Sequence, residues 1–256
     1  SNGLLAKRLY IMEDVMEYAE ISKAGDREIN EDSLQSFQVG NKMVFVLADG
    51  LGGHGYGEIA SKEAVEAVKK HFISNSEEEI HKLLQDSFQV AHNMLKKLQN
   101  EVHDDSFFKT TMAIVVIGED YVIWGHIGDS RIYHFEEGCL IERSMDHSVP
   151  QMLFNTGTIR EKQIRHHEDR NRLTRVLGSD EENSKPFITI QEPRNEDAAF
   201  LLCSDGFWEF VPEKTMIKTL HKSADVGEWL RTMEKKALKN GKKYNMDNYS
   251  AIAVKL

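Results

Sequence analysis

The stretch VFVLADGLGGHGYGE, residues 44–58, joins an apolar run to an acid and then to a loop rich in glycine. The apolar run predicts a buried strand that ends at Asp49, and a helix follows from about Glu58 to Phe72. Asp-Gly after a strand is typical of a hairpin turn, so Asp49 taken alone indicates only turn chemistry. No partner strand follows after two residues here, because the glycine loop leads into the helix.

Further acids stand at the ends of other predicted strands. Asp129 and Asp205 follow strands, whereas Glu31, Asp32 and Asp247 precede them. In antiparallel sheets the end of one strand lies beside the start of its neighbour, so these carboxylates can meet at one edge. Gathered carboxylates raise one another's pKa unless cations neutralise them. Such oxygen ligands favour Mg²⁺ or Mn²⁺, and two ions about 4 Å apart would hold and activate a water molecule.

Two residues beside these acids suit the same chemistry. Gly50 offers a backbone carbonyl to a metal ion without a side chain that would crowd it. Arg27 is the expected phosphate-binding residue, because its planar guanidinium can bind two phosphate oxygens. An exposed turn residue is the alternative interpretation of Arg27.

The remaining pattern predicts an α+β fold. Strands come in hairpins, and two long helices separate the first group of strands from the second. Long apolar strands such as AIVVIG (113–118) predict burial on both faces, as in two packed antiparallel sheets, a β-sandwich flanked by helices. Residues 1–16 are predicted as an N-terminal extension or linker, with a short helix as the alternative for 4–16. Residues 17–256 are predicted as a single domain.

Composition excludes several classes of protein. The net charge of −10 argues against binding to a nucleic-acid backbone. The chain has no run of 18 apolar residues, so we expect no membrane span. We also expect no signal peptide and a cytoplasmic protein, because the charged Lys7 and Arg8 follow the short apolar run 4–6 at once. Cys139 and Cys203 fall in predicted strands and are expected to be small buried thiols rather than a disulfide framework.

Seven segments of the chain resemble, in order, the motifs of the PPM-type (type 2C) metal-dependent protein serine/threonine phosphatases in their bacterial form. They are GDREINED (25–32), VLADGLGGHGYGEIAS (46–61), HIGDSRIY (126–133), DHS (146–148), RNRLTRVLG (170–178), LLCSDGFWE (201–209) and DNYSAIAV (247–254). The resemblance covers about residues 17–256 and implies the same sandwich fold. It also implies a hydrolase that removes phosphate from phosphoserine and phosphothreonine by direct attack of a water bridging two divalent ions.

The resemblance implies a role for each acid. Asp49 bridges two ions, and the Gly50 carbonyl, Asp205 and Asp247 complete the ligands of the first. Glu31 or Asp32 serves the second ion, and Asp129 binds a third ion at a weaker site. Arg27 binds the phosphate. The expected cofactors are therefore two Mn²⁺ or Mg²⁺ ions with a third at Asp129.

One position departs from some members of the family, in which histidine follows the Asp-Gly pair and is proposed to protonate the leaving group. Here that position is Leu51, and His54 is the candidate general acid. A loop histidine that fixes the turn, with a metal-bound water as the acid, is the alternative.

The segment 146–180 corresponds to the family's mobile flap and is expected to govern substrate choice. Phosphorylated proteins and a cognate serine/threonine kinase are the expected partners in signalling, and we expect a monomer. A phosphatase-like binding module without turnover would have lost Asp49, Asp205 or Asp247, which are all present. A nucleotide-binding loop would end in GK[ST], which the glycine loop lacks.

Overall fold

A computed structural model describes residues 7–11, 14–52 and 55–256. Its strands are β1 (Lys7–Ile11), β2 (Asp14–Lys23), β3 (Asp32–Val39), β4 (Lys42–Leu51), β5 (Lys109–Thr110), β6 (Met112–Ile117), β7 (Tyr121–Ile127), β8 (Arg131–Glu136), β9 (Cys139–Arg143), β10 (Phe187–Ile188), β11 (Glu192–Pro193), β12 (Ala198–Cys203) and β13 (Tyr249–Lys255). Its helices are α1 (Tyr56–Ser74), α2 (Ile80–Val102), α3 (Val149–Asn155), α4 (Glu161–Ile164), α5 (Asp205–Trp208), α6 (Glu213–Lys222) and α7 (Val226–Gly241).

The strands form two antiparallel sheets. One has the order β1-β2-β13-β12-β8-β9, and the other has the order β10-β7-β6-β4-β3, with β11 paired to β7 and β5 to β4. The predicted hairpins β6–β7 and β8–β9 are both present. The predicted fold class, two antiparallel sheets flanked by helices, is confirmed.

Three apolar layers hold this sandwich together. Phe45, Trp124 and Phe200 belong to the layer between the sheets. Helices α1 and α2 cover the second sheet, and α6 and α7 cover the first, where Trp229 is fully buried. Strands β6 and β12 are therefore buried on both faces, which explains their uninterrupted apolar sequences.

Capping side chains fix where helices α2 and α7 begin. The predicted start of α2 at Glu77 is early, because the Glu79 carboxylate accepts hydrogen bonds from the backbone N–H groups of His81 and Lys82 and caps the helix there. Asp225 caps α7 in the same way through the N–H of Glu228. Helix α1 begins two residues earlier than predicted, directly after Gly55.

Two predictions from the sequence are wrong. The described part of residues 4–16 is neither helix nor linker, because β1 pairs with β2 in the register Lys7–Tyr18 to Ile11–Asp14 at the edge of the first sheet. Cys139 is exposed, because β9 is the other edge of that sheet, whereas Cys203 on the central β12 is buried as predicted. Among the residues that the structure describes, none of the helices could serve as a transmembrane span.

Candidate metal centre

A cavity of about 340 Å³ opens at one edge of the sandwich, where the predicted acids meet. Its wall includes the predicted site residues Arg27, Glu31, Asp49, Gly50, Asp129, Asp205 and Asp247. Asp32 is not part of this wall and is the partner of Asp49 across strands β3 and β4. His54 lies outside the described residues.

Hydrogen bonds between the backbone of Asp49 and two threonines, Thr110 and Thr111, hold this residue in place. Its carbonyl oxygen accepts from the Thr110 hydroxyl at 2.8 Å and from the Thr111 N–H at 2.9 Å. Its N–H donates to the Thr111 hydroxyl at 3.0 Å. The end of β4 is therefore clamped by the segment before β6, and the carboxylate of Asp49 lies in the cavity wall.

Asp32 is a buried carboxylate with one unsatisfied oxygen. It is 6% exposed, and its Oδ2 accepts from the Ser204 hydroxyl at 2.7 Å, whereas its Oδ1 has no hydrogen-bond partner. Burial, followed by the nearby charges of Asp247 and Glu31, raises the pKa of Asp32 to about 6. An unpaired buried carboxylate oxygen is unfavourable in isolation, so this atom indicates that a cation or a proton belongs nearby.

Burial and neighbouring charges also raise the pKa values of three acids in the cavity wall. Burial, then the charge of Asp146, raises the pKa of Asp129 to about 7. Burial also raises the pKa values of Asp49 and Asp205 well above their ordinary range, and the neighbouring acids raise them further. Each carboxylate therefore resists ionisation because of its own burial and because the others are close.

The ligand chemistry of the cavity suits divalent cations. The donor set consists of carboxylate oxygens, which are the ligands that Mg²⁺ and Mn²⁺ prefer. Among the described residues of the wall, Arg27 is the only base, and its guanidinium pairs with Asp247 at 2.8 Å. One half-exposed arginine cannot balance this many acids, whereas bound cations would reverse the local charge.

Glycines bring two of the acidic loops into contact. A side chain at Gly206 would place its Cβ 2.2 Å from the carbonyl oxygen of Asn248, so the loops that carry Asp205 and Asp247 touch there. Similarly, a Cβ at Gly50 would lie 2.0 Å from the carbonyl oxygen of Gly57. Glycine at position 50 is therefore required by close backbone packing, in addition to any metal contact.

We predict that Gly206→Ala lowers kcat/KM by about a hundredfold, because a shift of ~1 Å in reacting groups has an effect of this order. Steady-state kinetics with an aryl phosphate would measure the loss. Gly40→Ala is the matched control: it introduces backbone strain at φ +57 in an open turn at the other end of β3 and β4. It should lower stability and leave kcat/KM unchanged; an equal loss in both variants would contradict the prediction.

Several supporting residues were missed by sequence reasoning. The Asn248 side chain accepts from the Glu31 N–H at 2.8 Å and donates to the carbonyls of Ala24 and Ile29, which fixes the loop that carries Arg27. Its place directly after Asp247 in the DNYSAIAV motif was the available signal.

Trp208, which follows Asp205 by three residues, holds the loop that carries Asp129. Its indole N–H donates to the carbonyl oxygen of Asp129 at 2.9 Å. The guanidinium of Arg131 stacks on the indole at 3.5 Å and binds both carboxylate oxygens of Asp146, at 2.8 and 2.7 Å. This buried group joins the Asp129 loop to the start of the flap segment.

The flap segment 146–180 consists of irregular chain with the short helices α3 and α4. Asn171 and Leu173 contribute to the cavity wall. Arg165 pairs with Glu213 at 2.7 Å, and Arg170 pairs with Glu209. The segment is thus tied to the helices after Asp205, and its control of substrate choice stays a prediction.

Comparison with known proteins shows that the chain is similar to type 2C protein phosphatases. A family model described as protein phosphatase 2C matches residues 22–241. The serine/threonine phosphatase Stp of Listeria monocytogenes serotype 4b is 31% identical over 211 residues, which are 78% of this chain and 83% of that protein. The crystal structure of the serine/threonine phosphatase Stp1 from Staphylococcus aureus has a TM-score of 0.85 at 27% identity and covers 98% of this chain and 99% of that one. The catalytic domain of the serine/threonine protein phosphatase PstP, solved with two manganese ions, has a TM-score of 0.78 at 25% identity and covers 94% and 97%.

The sandwich with an acidic cavity at its edge defines a phosphatase-type fold. The chain belongs to the protein phosphatase 2C family. The resemblance inferred from the sequence motifs is confirmed, and with it the predicted enzyme class, a protein-serine/threonine phosphatase.

Proposed function

We propose that this chain removes phosphate from phosphoserine and phosphothreonine in proteins, using divalent cations held in the acidic cavity. The observation that carries the proposal is that Asp49, Asp129, Asp205 and Asp247 line one cavity. Burial and neighbouring acids raise the pKa values of Asp49, Asp129 and Asp205. The manganese ions in the related PstP structure support the same cofactor class.

The proposed ligands divide among two main ions and a third. Asp49 would bridge the two main ions, and the Gly50 carbonyl, Asp205 and Asp247 would bind the first. Glu31 or Asp32 would serve the second, either directly or through water, and Asp129 would hold the third. When bound, two such ions would supply a bridging water with a lowered pKa as the nucleophile, and the choice between Mg²⁺ and Mn²⁺ stays open.

The chain itself would bind and orient the phosphate. Arg27 stands at the mouth of the cavity with its side chain half exposed, so its guanidinium can reach an incoming phosphate. When cations occupy the cavity, Asp247 would bind one of them instead of Arg27. The guanidinium of Arg27 would then be free to bind phosphate. The proton for the leaving alkoxide is assigned to His54 only as a prediction, since that residue lies outside the described part of the chain.

We expect Arg27→Ala to raise KM for a phosphopeptide about tenfold to a hundredfold with a smaller effect on kcat, because a charge-assisted contact to the phosphate is lost. Arg27→Lys should recover only part of the affinity, since lysine cannot bind two oxygens with a planar fork. Steady-state kinetics would measure both effects. An unchanged KM in Arg27→Ala would contradict phosphate binding by this residue.

The proposed function is tested by phosphate release from phosphoserine, phosphothreonine and phosphotyrosine peptides, each with Mn²⁺, with Mg²⁺ and with a chelator. We expect release from the first two peptides, with loss of activity in chelator and recovery when the metal is restored. Full activity in chelator would contradict the metal proposal, and a preference for phosphotyrosine would contradict the substrate class.

The wider biological setting rests on the resemblance. Phosphorylated proteins are the proposed substrates, and a cognate serine/threonine kinase acting on the same targets is the proposed partner. A monomeric state, a cytoplasmic location and a role in signalling stay predictions.

A further inference from the structure

A second cavity, of about 630 Å³, lies outside the candidate metal centre, between strand β7 and the start of the flap segment. We call it the histidine cavity and define it by His126, His147, Trp124, Phe187 and Arg175, which all line it. Its volume lies within the range of about 300–1,000 Å³ typical of small-molecule sites. None of the proposed metal ligands lines it.

Part of its wall is apolar surface that is left uncovered. Met145, Met152 and Phe187 line the cavity, although they are 60%, 55% and 48% exposed. Large apolar side chains gathered at one concave place indicate a binding surface more than scattered ones do. Methionine sulfur and aromatic rings pack well against a planar aromatic molecule.

The two histidines of this cavity are stacked and neutral. Their ring centroids are 4.8 Å apart with an interplanar angle of 4°. Burial lowers the pKa of both, that of His147 to about 3. Stacked rings of this kind do not direct their nitrogens at a common metal ion, so the pair indicates an organic ligand rather than a cation.

His126 leaves one hydrogen-bonding atom unsatisfied. It is 1% exposed, and its Nε2 lies 2.7 Å from the carbonyl oxygen of Met145, which can only accept, so Nε2 carries the proton. Its Nδ1 is then an acceptor, and it has no hydrogen-bond partner. A hydroxyl or N–H group would satisfy this atom.

The charges of the cavity favour a single acidic group on the ligand. Arg175 is exposed and has no ion-pair or hydrogen-bond partner in the described ranges, so its guanidinium can bind a carboxylate. Arg143 is already occupied by Asp146 and Glu161. The carboxylate of Glu142 also lines the cavity and would repel a ligand of higher negative charge.

Backbone hydrogen bonds connect the histidine cavity to the candidate metal centre. The N–H of His147 donates to the carbonyl of Gly128 at 2.8 Å, and the N–H of Gly128 donates to Nδ1 of His147 at 3.1 Å. Gly128 directly precedes Asp129. A ligand that moves His147 would therefore move the backbone that carries Asp129.

From these contacts, we propose that the histidine cavity is a regulatory site for a planar aromatic acid that carries one acidic group and one hydrogen-bond donor. The ring would pack against Phe187 and the two methionines, and the acid would bind Arg175. The donor would reach the buried Nδ1 of His126 after a shift of the His147 ring that is stacked on it. The regulatory part of this inference rests on the proposed phosphatase function, whereas the binding part does not.

The binding test uses 6-hydroxy-2-naphthoate, whose hydroxyl and carboxylate are too far apart to chelate a metal ion. Isothermal titration calorimetry of the full chain in chelator should show saturable binding of one molecule per chain. Arg175→Gln and Phe187→Ala should each weaken binding at least tenfold. Two matched controls, Arg172→Gln and Ile190→Ala, alter an arginine and an apolar residue that are 69% and 76% exposed and do not line the cavity; both should bind as the unmodified chain does.

The regulatory test measures hydrolysis of an aryl phosphate in Mn²⁺ with and without saturating naphthoate. We expect kcat to change at least twofold in the unmodified chain and not in Arg175→Gln at the same concentration. No saturable binding, or equal binding by all variants, would overturn the site. Binding without a change in kcat, or inhibition that is purely competitive with substrate, would overturn its regulatory role.

Discussion

Asp49→Asn is expected to lower phosphopeptide hydrolysis by ~10³-fold or more, and at the same time to make the chain more stable in chelator. Removing one preorganised hydrogen-bond donor at a reacting centre typically costs 10²–10³ in rate. Losing the carboxylate of Asp49, the proposed bridge between two ions, should cost at least as much. Asparagine has nearly the same shape, so the loss would reflect the missing charge.

The gain in stability follows from the raised pKa of Asp49. Burial, together with the charges of Asp32, Asp205, Asp129 and Asp247, makes the ionised carboxylate unfavourable in the metal-free fold. Asparagine removes that charge, so the melting temperature in chelator should rise while activity falls. A merely structural role would instead lower both.

Steady-state kinetics and thermal melts of the unmodified chain and of Asp49→Asn, each with Mn²⁺ and with chelator, would measure these effects. Asp105→Asn is the matched control, because Asp105 is exposed and outside the cavity, and it should change neither quantity. Retained activity in Asp49→Asn, or a lower melting temperature in chelator, would contradict the role assigned to Asp49.

The second prediction is that the metal-free chain loses stability as pH rises from about 4 to 8, and that Mn²⁺ reverses the loss. The folded-state pKa values of Asp32 and Asp129 are about 6 and about 7, against an ordinary value of 3.8. Between these values the folded chain keeps protons that the unfolded chain has released, so the free energy of unfolding falls as pH rises. Above about pH 8, one unit past the higher of these two pKa values, this contribution is fully lost.

The expected size follows from the conversion of about 1.4 kcal/mol per pKa unit. For Asp32 alone the rise from 3.8 to about 6 corresponds to roughly 3 kcal/mol, or about 6–12 °C in melting temperature for a chain of this size. Bound Mn²⁺ would compensate the ionised carboxylates, and metal ions bind better as their ligands lose protons. The difference in melting temperature between Mn²⁺ and chelator should therefore grow from near zero at pH 5 to its maximum near pH 8.

Differential scanning calorimetry across this pH range would measure that difference. Asp129→Asn removes one of the two groups and should flatten the pH dependence of the chelated protein. A difference that stays constant with pH would mean that the carboxylates are not the groups to which the metal binds.

The acids of the site were predictable because each is marked by local sequence. Asp49, Asp129 and Asp205 each follow an apolar run, and antiparallel pairing then brings the ends of those strands to one edge. The pairing of Asp32 with Asp49 across β3 and β4 follows from the hairpin between them. Local pattern was therefore sufficient for the acids and for the sandwich fold.

The supporting contacts were not predictable, because they join distant parts of the chain. The hydrogen bond between Asn248 and the Glu31 N–H joins residues that are 217 positions apart in the sequence. The bond from Trp208 to the carbonyl of Asp129 spans 79 positions. The exposure of Cys139 depends on β9 being an edge strand, which only the sheet order reveals. Strand β1 was missed because the residues from 4 to 16 have no clear alternation of apolar and polar residues.

The most direct test of the metal proposal is an anomalous difference map, recorded above the manganese absorption edge, from crystals grown with Mn²⁺. If the acidic cavity holds two ions as proposed, the map will show two strong peaks about 4 Å apart, with Asp49 between them and Asp205 and Asp247 in contact with one of them. A map without a peak in the acidic cavity, or with peaks that Asp49 does not touch, would contradict the proposal.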